Sequence, residues 1–457
     1  MKKLAAFCLI LIIALSAASA IAAPVYEDEV KPNAVMLLDA TTGQVLYEKN
    51  ADEHIRPAST TKILTLLVAI ENSDMDDEVT IGPEGDWTGS GYSLLGTKNG
   101  ERIIMKDLLH GLMLKSGNDA AAAVAVHIGG SEEKFIDMMN DKAEEIGMTS
   151  SRFVNPHGTD KDKHYVTARD MSRLALYVVQ NEEFMDIVGK ESYLMPATNR
   201  NSARTVRNTN HLLRTDEDAI DGAYYEFATG IKTGSTPKAF RCLVSSAKKD
   251  GTELICLIFG DETKDGYRRW PTAKSLFEFG FENYQTIDVQ AIIDGGEPPA
   301  IAVQNAANED DILALNVRNT GEARVTIEKQ IAQGIAETGG LESVIELYSG
   351  DKLAAPIREG DVVGLITYRS RLTSEIICRG ELSATRNVDV IGEVTIEVTE
   401  ETPRPQQTEA TEEPTPQPTP VPPGPVIGLG WLWIVLGVVL IAVITLLVIS
   451  LVRSARK

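Results

Sequence analysis

The segment Val426 to Val452 holds 27 residues without a single charge and runs directly into Arg453, Arg456 and Lys457. About 20 apolar residues already cross a bilayer core, so the stretch reads as a transmembrane helix, and the cationic tail 453–457 puts that end in the cytoplasm. The other terminus agrees with this orientation. Lys2 and Lys3 precede the apolar run Leu4 to Leu15, which closes on the small residues Ser16 to Ala23, the layout of a cleaved secretory signal over residues 1–23. Between 400 and 425 stand nine of the chain's 20 prolines, set among Thr, Glu and Gln. Such a segment stays extended and buries no core, so it reads as a stalk. What can fold into a globular body is thereby confined to about residues 24–399, on the outer side of a membrane.

That body has two textures. In residues 24–285, Ala34 to Leu38 and Gln44 to Tyr47 flank the turn-like Asp39 to Gly43, which predicts a hairpin. Apolar residues at helical spacing predict helices over Thr61 to Glu71, Met105 to Lys115, Asp119 to His127, Glu132 to Ile146 and Thr167 to Val179. Arg241 to Ala247 and Glu253 to Phe259 predict a second hairpin around Asp250-Gly251. The class is α/β or α+β with antiparallel pairing. From about 286 to 399 helical periodicity mostly fades, and short runs such as Ile312 to Val317, Arg324 to Glu328, Val344 to Tyr348, Val362 to Tyr368 and Val388 to Val398 predict a small β-sandwich. It holds no cluster of nucleophile and base, and reads as a spacer or interaction domain.

Charge narrows the partners. Lys and Arg number 44 against 66 Asp and Glu, a net charge of −22, which opposes any broad phosphate-neutralising surface and excludes nucleic acid as a partner. Three cysteines remain in the body, Cys242, Cys256 and Cys378, and three cannot all pair within one chain. Simple turn registers do not set Cys242 opposite Cys256, so both are expected to be reduced.

Chemistry concentrates in three short motifs. Ser59-Thr60-Thr61-Lys62 opens an apolar helical stretch, so hydroxyl and amine share one helix face near free backbone N–H groups. That is an arrangement for acyl transfer. Serine three places before lysine recurs six more times in the chain, so the pattern alone carries little. Its context is Ser116-Gly117-Asn118, after an apolar helix, and Lys232-Thr233-Gly234, at the start of a hairpin. The serines that head the first two motifs are 57 residues apart, and Lys232 follows Ser116 by 116. This order matches the triplets of penicillin-interacting serine enzymes.

The resemblance extends to Arg56 to Lys62, Leu112 to Ala120, Asn155-Pro156-His157-Gly158, Thr167 to Met171 and Gly230 to Gly234. On these residues the chain resembles the D-alanyl-D-alanine carboxypeptidases, the low-molecular-mass penicillin-binding proteins, strongly over about 30–285; Ala355 to Gly364 resembles the β-rich second domain of that family. The resemblance implies an α+β fold of transpeptidase/β-lactamase type, an antiparallel sheet with a helical cluster. It implies that Ser59 attacks the carbonyl between two terminal D-alanines of a peptidoglycan stem peptide, with Lys62 as general base, and that β-lactams acylate the same serine. It also implies that Ser116 relays a proton to the leaving amine and that Asn118 holds Lys62 and the substrate amide. The N–H groups of Ser59 and Ser235 would form the oxyanion hole. Lys232, Thr233 and Gly234 belong to the strand that meets the terminal carboxylate. Asn208-Thr209-Asn210 departs from relatives that carry arginine at its centre, and Arg241, with Arg268 and Arg269 as alternatives, is the expected second carboxylate contact. No cofactor is implied.

Three rival readings remain open to test. His157, Asp160, Asp162 and His164 suggest a zinc peptidase, but their spacing matches no zinc motif. A β-lactamase would use the same triplets with added machinery for deacylation, and no glutamate stands out for that task. A wall-binding or penicillin-sensing ectodomain would keep the pocket without turnover.

Overall fold

The computed structural model describes residues 32–87, 91–263, 267–294, 298–307, 311–338 and 340–390. The signal segment 1–23, the stalk 400–425, the span Val426 to Val452 and the tail 453–457 lie outside them. Among the described residues no helix is long and apolar enough to cross a membrane.

Ala34–Asp39 (β1) and Val45–Lys49 (β2) form the first hairpin. A 3₁₀ turn, Ala58–Thr61, then runs into Lys62–Asn72 (α1), in which every residue from Lys62 to Ala69 is buried. A helix apolar all round can only be central, and α1 is the axis of the helical cluster. Glu78–Thr80 (β3) pairs with Arg102–Ile104 (β4), which leads into Met105–Leu114 (α2). Asn118–Gly129 (α3) follows after three residues, then Glu132–Glu145 (α4), Ala168–Val178 (α5) and Glu182–Val188 (α6). Side chains of Ser131, Thr167 and Asn181 accept backbone N–H bonds at the starts of α4, α5 and α6, which satisfies donors the helices leave open. Ser192–Met195 (β5) and Arg204–Arg207 (β6) form a small ladder.

Ala228–Thr236 (β7), Phe240–Lys249 (β8) and Thr252–Asp261 (β9) complete the main antiparallel sheet, in the order β2-β1-β9-β8-β7. Arg269–Asn283 (α7) closes it from behind. The central strands β1 and β9 are buried on both faces, which explains why they carry continuous apolar runs. Ala34, Met36, Leu38, Ile255, Leu257 and Phe259 enter the core shared with the helical cluster. Their neighbours Val35, Leu37, Leu254, Cys256 and Ile258 enter a second core with Trp270 and Phe277 of α7, the alternation a pleated strand imposes. Cys256 lies opposite Ser245, and Cys242 opposite Gly234. Both cysteines are free and buried, like Cys378.

Tyr284–Asp288 (β10) leads through Val289–Asp294 (α8) into the second region. It contains Ala300–Gln304 (β11), Ile312–Asn319 (β12), Arg324–Glu328 (β13), Lys329–Thr338 (α9), Leu341–Leu347 (β14), Leu353–Ala354 (β15), Val362–Ser370 (β16) and Ile376–Ala384 (β17). Six strands form one sheet in the order β14-β16-β17-β12-β11-β15, while β10 pairs with β13. The helix α9 interrupts the β-rich texture expected past 286. Its apolar face is small, Ile331, Ala332 and Ile335 against Ile327 and Ile377, too short a stripe to stand out among strand signals. Of the run Val388 to Val398, Val388 and Val390 bridge to Ile357 and Ala306, and residues beyond 390 lie outside the described set. The two regions meet at the buried Asp39. Its carboxylate accepts bonds from the Thr41 and Thr42 backbone and, at 2.7 Å, from the Thr286 hydroxyl of β10.

Candidate active site

The three motifs converge from three elements. Ser59 sits half-buried in the 3₁₀ turn, and the lysine one turn later points back at it: Lys62 Nζ lies 3.2 Å from Ser59 Oγ. The same nitrogen donates to Asn118 Oδ1 at 2.7 Å and to the carbonyl oxygen of His157 at 2.7 Å. An uncharged amine has two N–H donors and one lone pair. The two short bonds occupy the donors and leave the lone pair for the Ser59 hydroxyl, which then donates to it. The surroundings favour that neutral form: burial, and then the charge of Lys232, hold Lys62 well below the usual lysine range, against a smaller opposing pull from Asp119.

Close approach of backbones makes this geometry possible. Gly158, at φ +86°, lies so near the serine turn that an added methyl group would stand 1.8 Å from the Ala58 carbonyl oxygen. Gly234 of β7 is similarly pressed, with Pro57 O at 3.0 Å and Ser59 N at 3.1 Å from such a methyl. Glycine at these two positions lets the 155–158 loop and the edge strand reach the nucleophile. Gly158→Ala is expected to push the Ser59 turn aside and cut penicillin acylation by about 100-fold, with a lowered melting temperature. Stopped-flow acylation and a thermal melt check both effects.

Ser116, at φ +61°, occupies the turn between α2 and α3, and Asn118 opens α3. The neighbouring Asp119, fully buried, accepts backbone N–H bonds from Leu95, Gly96 and Thr97 at 2.7–3.1 Å. It fixes the loop beside Ser116, a role the sequence signals only as an acid in a helix's first turn. On the facing strand, Lys232 is buried. Its amine donates to the Thr209 hydroxyl at 3.3 Å, and the Thr233 hydroxyl donates to the same oxygen at 2.7 Å. Thr209 is thus the residue that the arginine-less Asn208-Thr209-Asn210 segment brings to the site.

Burial first, and then the charge of Arg269, bring Lys232 down to about 7. The folded state holds fewer protons on this amine than the unfolded chain between that value and 10.5, so the group makes folding more favourable as pH rises through that window. Lys232→Met removes this contribution. The expected result is a smaller gain in melting temperature between pH 7 and 9 than in the wild type, together with reduced acylation.

A cavity of about 580 Å³ is lined by Ser59, Ser116, Thr209, Thr233, Gly234 and Ser235 among others. The arginines divide around it. Arg241 lies opposite Ser235 in the β7–β8 ladder and donates to its hydroxyl, without forming part of the cavity wall. Arg268 is exposed at the start of α7. Arg269 is on the wall, its Nε and Nη1 buried without a hydrogen-bond partner among the described residues. The histidines have other partners: His157 Nδ1 accepts from Thr159 N at 3.3 Å, and His164 Nε2 meets the Thr61 hydroxyl at 3.0 Å. Asp160 accepts from Thr236 and Lys238, and Asp162 stands 3.8 Å from Arg56.

A serine at a helix start, a buried lysine on its hydroxyl and a second serine and lysine across one cleft define a serine acyl-transfer enzyme. The chain belongs to the D-alanyl-D-alanine carboxypeptidase family, peptidase S11, whose sequence model matches residues 19–263. It is 35% identical to the D-alanyl-D-alanine carboxypeptidase DacF of Bacillus subtilis over 55% of this chain, a match spanning 62% of that protein and so less than two thirds of its length. It is 31% identical to DacC of Escherichia coli over 74% of this chain and 80% of that one. Among solved structures, DacD of Francisella tularensis superposes with a TM-score of 0.63 at 26% identity, covering 79% of this chain and 94% of the other. The Streptomyces K15 DD-transpeptidase reaches 0.50 at 30% identity, covering 55% of this chain and 98% of its own.

Proposed function

We propose that the protein is a serine D-Ala-D-Ala carboxypeptidase that removes the terminal D-alanine from peptidoglycan stem pentapeptides and is acylated by β-lactams. Its body is organised as a peptidase domain to about residue 285 and a β-rich domain beyond it. This body works outside the cell, held by Val426 to Val452 as a C-terminal anchor. The observation that carries the reading is the threefold environment of Lys62 Nζ, with Ser59 Oγ at 3.2 Å and two short acceptors at 2.7 Å.

In this mechanism Lys62 takes the Ser59 proton as Oγ attacks the carbonyl of the penultimate D-alanine. The N–H groups of Ser59 and Ser235 receive the negative charge that develops on the carbonyl oxygen. Lys232, Thr233 and Arg269 hold the terminal carboxylate; Arg269 takes the place expected of Arg241, because Arg269 lines the cavity and Arg241 does not. Ser116 hands a proton to the departing amine, D-alanine leaves, and water hydrolyses the ester.

Incubating the soluble body with a peptide ending in D-Ala-D-Ala and assaying free D-alanine tests the reading. Steady release is expected, with a penicilloyl adduct at Ser59 that outlasts many peptide turnovers. Rapid loss of that adduct would assign a β-lactamase instead, and no glutamate lines the cavity among the described residues. A stable adduct without any D-alanine release would assign a sensor.

A further inference from the structure

The peptide unit that joins Ala58 to Ser59 carries two groups, the Ala58 carbonyl and the Ser59 N–H that the carboxypeptidase reading gives to the oxyanion hole. This peptide is trans. A trans peptide is planar, with its C=O and N–H pointing in opposite directions, so whatever fixes the Ala58 carbonyl also aims the Ser59 N–H. Ala58 needs such a hold. It is a non-glycine residue at φ +49°, a left-handed conformation that persists only where the surroundings impose it. Its carbonyl oxygen accepts from the Thr61 hydroxyl at 2.8 Å, and the Thr61 oxygen in turn meets Nε2 of His164 at 3.0 Å. His164 is buried, and the pairing of its neighbours brings it there: Tyr165 bridges to Arg152, and Val166 to Ile55, four residues before Ser59.

A hydroxyl has one hydrogen to give, and a carbonyl can only accept. Thr61 therefore spends its hydrogen on Ala58, and Nε2 of His164 is the donor of the second bond. The opposite tautomer would withdraw that hydrogen from the carbonyl and leave a buried N–H at Nδ1, which has no partner among the described residues. Burial, and then the charge of Arg56, push the ring down to about 4 against the pull of Asp160, so it is neutral while it holds this bond. A leucine would fill the same space without an unmet Nδ1, so what the histidine contributes is its Nε2 donor. We infer that His164 is a positioning residue for the oxyanion hole: its Nε2–H, relayed through the Thr61 hydroxyl, holds the Ala58–Ser59 peptide so that the Ser59 N–H faces the substrate carbonyl. Hydrogen bonds in such a chain strengthen one another. The inference rests on the carboxypeptidase reading and adds no bond or proton transfer to it.

The test measures kcat and KM for D-alanine release, the rate of penicillin acylation and the melting temperature in the full chain and in its variants His164→Leu, His164→Asn, His164→Gln and Thr61→Val. Glutamine places an amide N–H near the position of Nε2, whereas that of asparagine falls near Nδ1. Removing one oxyanion donor costs about 10²–10³ in kcat. Misaiming one is expected to cost about 10-fold or more in kcat and in the acylation rate, with KM within about twofold, because the oxyanion develops only on the way to the transition state. His164→Leu and His164→Asn show this loss, and His164→Gln recovers most of the wild-type value. Adding His164→Leu to Thr61→Val costs little beyond Thr61→Val alone, since both act through one chain of bonds. Wild-type kcat in His164→Leu, equal kcat in His164→Asn and His164→Gln, or a loss confined to KM overturns the inference. Should His164→Leu not fold, the comparison of His164→Asn with His164→Gln decides it. Absence of D-alanine release from a wild type that takes up penicillin would instead overturn the carboxypeptidase reading, and the acylation rates of the same variants then decide the role of His164.

Discussion

Ser59→Ala is expected to carry no penicilloyl adduct and to lower D-alanine release by about 10⁵-fold or more, the scale on which removing the nucleophile disables serine hydrolases. The fold should survive this change. Lys62 keeps its bonds to Asn118 Oδ1 and the His157 carbonyl, and Ser59 is only half-buried in a turn that Thr60 and Thr61 close through their own hydroxyls to Pro57 and Ala58. Three other serines, Ser93, Ser116 and Ser235, line the same cavity, so the result is not a foregone one. Intact-protein mass spectrometry after β-lactam exposure, followed by peptide mapping, decides between them. An adduct on Ser116 or Ser235 in the variant, at a rate near that of the wild type, would remove Ser59 from its role.

The parts of this protein that sequence made legible are those whose signal is local. Helical periodicity gave α1 to α5 to within a residue or two, and the Asp250-Gly251 turn gave the β8–β9 hairpin, because burial of one face or of a whole strand writes itself into consecutive residues. The three motifs were legible as types and order. What joins them was not. The acceptor from His157 is a backbone carbonyl, which any residue could supply. Thr209 and Arg269 come to act on Lys232 from 23 and 37 residues away through tertiary packing, and no pattern along the chain distinguishes Arg269 from Arg241 or Arg268. The helix α9 went unread for a simpler reason, a stripe of three apolar side chains in a strand-rich context.

Lys62→Arg separates charge from basicity at the centre of the site. Arginine keeps a long cationic side chain but does not give up its proton in proteins, so it cannot accept the serine's. Acylation is expected to fall by about 10³-fold or more, within the range that general-base removal produces and beyond it where nucleophile and base act as a unit. The pH profile carries the sharper prediction. In the wild type, burial and the charge of Lys232 favour the neutral form of Lys62, while burial and Arg269 bring Lys232 down to about 7. Acylation therefore rises with pH as Lys62 becomes neutral and falls again as Lys232 surrenders the charge that holds the substrate carboxylate. The rising limb should vanish in Lys62→Arg, and the falling limb in Lys232→Met. Initial acylation rates with a chromogenic cephalosporin from pH 5 to 10 read both limbs. Should Lys62→Arg keep a tenth of the wild-type rate with its rising limb intact, the base would have to be sought elsewhere in the cleft.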